Sequence, residues 1–201
     1  MPSINYIYNL LSNIFNLGVC INVNHTKYHK NCLILYITTP FKTMINYHKH
    51  QNIHQLIAFS KVIGNFGYNV DVIDYRDDKV RLYKKYDLII NLHPGANNIY
   101  KNFITNNCHK VAYITGSNPT FSNNAEAERI RSLYRRKGVM LEPVRYVEPF
   151  DKEAIESCSM MMFVGNEHNL KTFDNLKLKK IFLIKNTGYE FLKNYDFSRK
   201  N

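Results

Sequence analysis

Leu33-Ile34-Leu35-Tyr36-Ile37-Thr38-Thr39-Pro40-Phe41 joins five apolar residues to a hydroxyl-rich turn that closes on a proline. A short continuous apolar run bounded by turn residues marks a strand buried on both faces, and such strands belong to parallel sheets. The pattern recurs at residues 70–73, 88–92, 111–114, 160–164 and 181–184. Between the first two runs, Phe59, Val62, Ile63 and Phe66 repeat at helical spacing, and Gly67 supplies a left-handed stop. A second helix is expected from about residue 123 to 137. There Asn123 and Glu126 are placed like a capping box, Ile130, Leu133 and Tyr134 form the inner face, and Gly138 ends the helix. Strands alternating with helices specify an α/β fold, a Rossmann-like parallel sheet with helices on both faces.

The 201 residues suffice for one domain, and 45% hydrophobic with 21% charged residues excludes a disordered chain. The formal net charge is +11, but the lysines are scattered through a chain rich in Asn, Ile and Tyr, so no nucleic-acid footprint is read from it. The one dense basic run, Arg129, Arg131, Arg135, Arg136 and Lys137, follows Glu126 and Glu128 and reads as a solvated helix face. Cys20, Cys32, Cys108 and Cys158 lie far apart without a C-x-x-C pair, which fits reduced thiols in a cytoplasm. No run approaches the roughly 20 apolar residues of a bilayer span, and the N-terminus lacks the basic start of a secretory signal.

Residues 1–30 read as an introductory segment in which Ile7, Leu10, Leu11, Ile14 and Phe15 form one apolar helical stripe. Its opposite face, Asn5, Asn9, Ser12, Asn13 and Asn16, is polar but uncharged. Docking of this helix onto the domain is therefore expected, with a membrane surface as the alternative. The location inferred is cytoplasmic, either free or peripheral to the membrane.

In an open parallel sheet the crevice lies at the carboxyl ends of the strands. The residues following the apolar runs are Thr38-Thr39-Pro40-Phe41, His93-Pro94-Gly95-Ala96, Thr115-Gly116-Ser117-Asn118-Pro119, Gly165-Asn166-Glu167-His168 and Asn186-Thr187-Gly188. Glycine permits tight turns, while hydroxyl, amide and imidazole groups suit a polyhydroxylated ligand. Turn chemistry alone accounts for any one of these loops; five on one sheet edge point to a site. Thr-Thr-Pro-Phe in place of G-x-G-x-x-G after the first strand argues against a nicotinamide dinucleotide, and leaves Asp74 without its usual partner motif. Neither a P-loop nor a G-x-S-x-G elbow occurs. His48, His50 and His54 lack an accompanying carboxylate or Cys, so no metal site is expected.

The run 35–41, His50-x-Asn52 followed by a helix, and Gly67-Tyr68-Asn69-Val70-Asp71-Val72-Ile73-Asp74-Tyr75 together resemble bacterial family-4-like glycosyltransferases of the GT-B fold. The resemblance continues through Thr115-Gly116-Ser117-Asn118-Pro119, the helix with Asn124, Glu126, Glu128 and Arg129, then Gly165-Asn166-Glu167 and Asn186-Thr187-Gly188-Tyr189, spanning roughly residues 32–192. It implies two facing Rossmann-like domains, the first holding a carbohydrate acceptor and the second a nucleotide-sugar donor, with no metal or other cofactor generally required. Residues 31–192 would then be the acceptor-side domain and 193–201 the start of a linker, with the donor-binding half expected beyond Asn201 and the chain inactive alone. The substrate-binding set implied is Thr39, His50, Asn52, His93, Gly95, Thr115, Gly116, Ser117, Asn166 and Glu167, with no catalytic residue assigned. His50 and Asn52 would face the cleft, the imidazole bonding the sugar or steering a proton; a helix-start His and a capping Asn is the other reading. Two further functions stay open: a stand-alone Rossmann-like module that binds a sugar, nucleotide or protein without turnover, and a surface-binding protein that uses its charge and N-terminal helix.

Overall fold

The six apolar runs become six parallel strands; the first five alternate side chains between two covered faces, while the last, 181–184, leaves Ile181, Phe182 and Leu183 exposed. A computed structural model describes residues 18–42 and 51–185, with side chains of the second stretch described from Ile53 onward. Its strands are β1 (Val19–Cys20), β2 (Lys30–Tyr36), β3 (Tyr68–Asp74), β4 (Tyr86–Asn91), β5 (Ile104–Thr115), β6 (Met160–Val164) and β7 (Ile181–Ile184). They form one seven-stranded sheet in the order β1-β3-β2-β4-β5-β6-β7. All pairings are parallel except that of β1 with β3. The expected amphipathic helix at residues 7–15, His50 and the loop 186–188 lie outside the described residues.

The two faces are read from the alternation within single strands. Cys32, Ile34 and Tyr36 of β2 join Val70, Val72, Val111, Tyr113 and Val164 on one face. Leu33 and Leu35 point to the other face with Ile73, Ile89 and Tyr86, and Ala112, Ile114, Met161 and Phe163 continue that side under β5 and β6. Each fully buried Leu, Ile or Val contributes on the order of 1.5–3 kcal/mol, so the strands carry most of the apolar stabilisation.

The first face is covered by helix α2 (Gln51–Asn65), which follows a short helix α1 (Thr39–Lys42). Ile53 and Leu56 of α2 are buried, and Phe59 and Ile63 pack against the same core. Val62 and Phe66, expected on that stripe, are exposed instead, at 48% and 74%. Ile53, Leu56, Phe59 and Ile63 already fill one face at helical spacing, which turns the other two outward. Gly67, at φ +87°, ends the helix as expected, and its N–H donates to the carbonyl of Gly64.

The opposite face is covered by a 3-10 turn (Ile99–Phe103), helix α4 (Lys152–Glu156) and the segment after helix α5 (Glu167–Lys171), through Tyr100, Ile155 and Phe173. Between β5 and α4 lies the longest helix, α3 (Pro119–Lys137). It begins four residues earlier than the sequence reading has it. Asn118 is the true cap, its side chain accepting from the N–H of Thr120, with Pro119 at the first helical position. Asn123 sits one turn inside and instead bonds both backbone groups of Val147. Of the expected inner face, Ile130 is buried, Leu133 is half-buried and Tyr134 is exposed.

β1 is an addition that the sequence did not announce. Val19, Cys20 and Ile21 are buried, so the sheet takes in residues that read as part of the introductory segment. No helix among the described residues is long and apolar enough to cross a membrane.

Candidate functional site

At the carboxyl edge of the sheet the strand-end loops fall into two groups. In the first, Thr115, Gly116 and Ser117 follow β5, and Gly165, Asn166 and Glu167 follow β6. The sheet continues briefly past its strands, because the N–H of Gly116 donates to Val164 and that of Gly165 to Ile184. Asn169 then ties the loops together. Its side-chain amide donates to the Ser117 hydroxyl at 2.7 Å, and its backbone N–H donates to the Asn166 side chain at 3.0 Å. Thr172 adds a third tie, accepting from the N–H of Asn118 at 2.8 Å.

These ties leave the recognition groups outward. Thr115, Asn166, Glu167 and His168 are exposed, and the last three line an open groove of about 460 Å³ with Gly165, Leu183 and Lys185. Gly116 stands at φ +102° with nothing within 4 Å of where a Cβ would lie. The glycine there serves the backbone turn and keeps the space above it open.

A second groove, of about 370 Å³, adjoins the first through Lys185 and runs between α2 and the ends of β5–β7. His54, Gln55, Phe59 and Tyr113 line it together with Val164 and Ile184. Phe59 stacks on Tyr113 with ring centroids 5.2 Å apart, and Tyr113 meets Tyr36 edge-on at 5.9 Å. Burial pushes the Tyr113 phenol up to about 12, so it acts as a neutral hydrogen-bonding group. The Tyr36 hydroxyl is buried, and among the described residues it meets no hydrogen-bond partner.

The second group of loops is built differently. His93 lies between Tyr75 and Phe150, with ring centroids at 6.0 and 4.6 Å, and its Nε2 is 2.9 Å from the carbonyl of Glu148. Its backbone N–H donates to the buried side chain of Asn91. Gly95, at φ +97°, is pressed against Asp151, the residue that caps α4, so a Cβ at Gly95 would collide with it. Both residues therefore serve the packing of 148–151 against the sheet edge. Thr39 is exposed at the start of α1, and Asn52 lies in the first turn of α2. His50 is outside the described residues.

The structure thus brings together Thr115, Gly116, Ser117, Asn166 and Glu167, and places His93 and Gly95 in a separate packed corner. Lys185 and Gln55 line the grooves and Asn169 ties the loops beside them, but none of the three was singled out in the sequence. Asn169 carried a usable signal, three residues beyond a capping Asn, and Lys185 directly follows a strand. No group of three or more His, Cys, Asp or Glu residues positioned to hold a metal ion occurs among the described residues. Comparison with models of protein families, with curated proteins and with solved structures finds no match to this chain.

Proposed function

We propose that this chain is the acceptor-side domain of a glycosyltransferase of the GT-B type, holding a carbohydrate acceptor along the carboxyl edge of its sheet. The observation that carries the reading is the open groove between the loop after β6 and the carboxyl end of β7. An amide from Asn166, a carboxylate from Glu167, an imidazole from His168 and the Lys185 amine line it, and Thr115 stands exposed at the end of the neighbouring strand. Such a mixture of donors and acceptors matches a sugar, which presents both at each hydroxyl. His50 and Asn52 would approach the same cleft from the start of α2. Transfer would then require a nucleotide-sugar-binding domain facing this edge, since positioning the two substrates can be worth roughly 7–11 kcal/mol of the barrier.

A binding module without turnover is the second reading. The specific observation in its favour is that Ser117 and Asn166 are already engaged by Asn169 as structural ties between the loops.

Ligand-observed NMR against mono- and oligosaccharides tests the groove, and an assay with nucleotide sugars tests transfer. Saccharide binding is expected to weaken on the order of tenfold in Asn166→Ala and in Glu167→Gln, the loss of one or two hydrogen bonds. Transfer is expected only when a donor-binding domain is present. Saccharide binding indifferent to both substitutions rejects the groove assignment, and turnover by the chain alone that survives His50→Ala rejects the half-enzyme reading.

A further inference from the structure

The sheet has two ends, and they are finished differently. At one, β1 closes β3 with a short antiparallel pairing; at the other, β7 meets β6 and no further strand among the described residues. The carbonyls of Lys180 and Ile184 accept from the N–H groups of Met161 and Gly165, so these residues address β6. Successive residues of a strand turn their backbone groups to opposite sides. The N–H and C=O groups of Ile181 and Leu183 therefore point away from the sheet.

The side chains along that edge are apolar on both faces. Ile181, Phe182 and Leu183 are 40%, 44% and 42% exposed, and neither a proline nor a charge interrupts Ile181–Ile184. An unpaired edge of this kind is a template for an added strand. Lysines gather around it: residues 175–185 hold four and no acidic residue, whereas the whole chain has 27 Lys and Arg in 201. Among the described residues no carboxylate lies within salt-bridge reach of Lys177, Lys179, Lys180 or Lys185. Glu156 is taken by Lys152 and by the backbone N–H of Lys177, and Glu167 lines the groove at the carboxyl end of β7 with Lys185. The unmatched positive charge thus lies mainly at the amino end, on Lys177, Lys179 and Lys180.

We propose that β7 receives an extended peptide segment of another protein as an added strand, apolar at its centre and flanked by acidic residues, those at one end meeting Lys177, Lys179 and Lys180. The open backbone groups select a peptide, because a second main chain returns donors and acceptors at the same repeat. The lysines select its charge and disfavour a second copy of this chain. A two-fold antiparallel pairing centred on Phe182 would join the outward groups of Ile181 and Leu183, but it sets Lys179 of each copy opposite Lys185 of the other. The inference is independent of sugar transfer and stands whether or not the strand-edge groove binds a saccharide.

The probe is a fluorescein-labelled octapeptide, Val-Ile-Val-Ile between two acidic residues at each end, titrated with the full chain and read by fluorescence anisotropy. Saturable binding is expected. Two further peptides carry N-methyl groups on every second amide, in the two possible phases. One of them is expected to bind at least roughly tenfold more weakly, since it loses the hydrogen bonds to β7. Replacing the acidic residues of the peptide by lysine, or Lys179→Glu/Lys180→Glu in the protein, is expected to cost roughly tenfold as well. Leu183→Pro removes an N–H that serves no bond within the sheet, so the circular dichroism of the fold is expected to persist while peptide binding is lost. If that variant does not fold, the methylated peptides decide. Equal binding by all three peptide backbones, or by acidic and lysine-flanked peptides, overturns the proposal. So does the absence of binding to the full chain, whether residues 186–201 or a second copy, seen as a dimer in sedimentation, already hold the edge.

Discussion

Asp71 is fully buried in β3, and three segments meet at its carboxylate. One oxygen accepts from the backbone N–H of Asn22 at 2.8 Å and from the Lys84 amine at 3.0 Å; the other accepts from the Tyr86 hydroxyl at 2.8 Å. Removing one member of a buried charge pair strands its partners, which typically costs about 3–5 kcal/mol. Asp71→Ala is accordingly expected to lower stability by that amount in urea unfolding, while a surface change such as Lys61→Ala stays within about 0.5 kcal/mol. The buried thiols give a second prediction. Burial pushes Cys20 and Cys158 up to about 11 from an ordinary 9.0. Below pH 9 these thiols are protonated in folded and unfolded chains alike. Between pH 9 and 11 the unfolded chain releases protons that the folded chain retains, so stability falls through that window by about 3 kcal/mol per thiol. Urea midpoints measured across pH 8–11 are expected to show this decline, and Cys20→Ala/Cys158→Ala to make it shallower, the rest remaining with the buried Cys32 thiol, which burial also pushes up. Neither environment was legible in the sequence. Asp71 sat inside a strand pattern with nothing to show which of its neighbours carried an amine, and Lys84 and Tyr86 lay beyond a loop.

At the scale of elements, the strands were legible because five of the six apolar runs changed only at their ends. The sixth, β5, grew to 12 residues. Its first half, Thr105 to Lys110, is polar, and it pairs with β4 through a register shift between Tyr86 and Leu88. Apolar patterning is blind to a strand portion that faces solvent. The start of α3 was misread for another reason: an Asn-Pro pair is at once a turn signal and a cap followed by the first helical residue. Because α3 rests on few buried side chains, its ends should govern its integrity. Asn118→Ala is expected to cost about 1 kcal/mol, and Gly138→Ala about 1–2 kcal/mol, since Gly138 holds φ +66°. Hydrogen exchange is expected to accelerate over 120–137 in both variants and to leave the central strands β2–β5 unchanged. Asn123→Ala is expected to release the segment around Val147 alone. Equal acceleration in the strands would mean that α3 and the sheet open as one unit.

For the whole molecule, the parallel sheet and its carboxyl edge followed from the order of the runs. Which loops meet there did not follow, because that depends on pairings between distant strands. Thr115–Ser117 and Asn166–Glu167 lie side by side since β5 and β6 are neighbours, whereas His93 is diverted by Tyr75 and Phe150 into a corner. Sheets of this kind face a hazard of alignment. A slip of β3 against β2 by one residue turns every apolar side chain to the wrong face and is rejected at once. A slip by two residues preserves the faces, and with Val70, Val72 and Ile73 along β3, apolar patterning barely detects it. Asp71 does: displaced by about 7 Å, it would lie buried beyond reach of Asn22, Lys84 and Tyr86. The carboxylate therefore acts as a proofreader of strand alignment, giving up some stability to exclude the one misfold that hydrophobicity alone would pass.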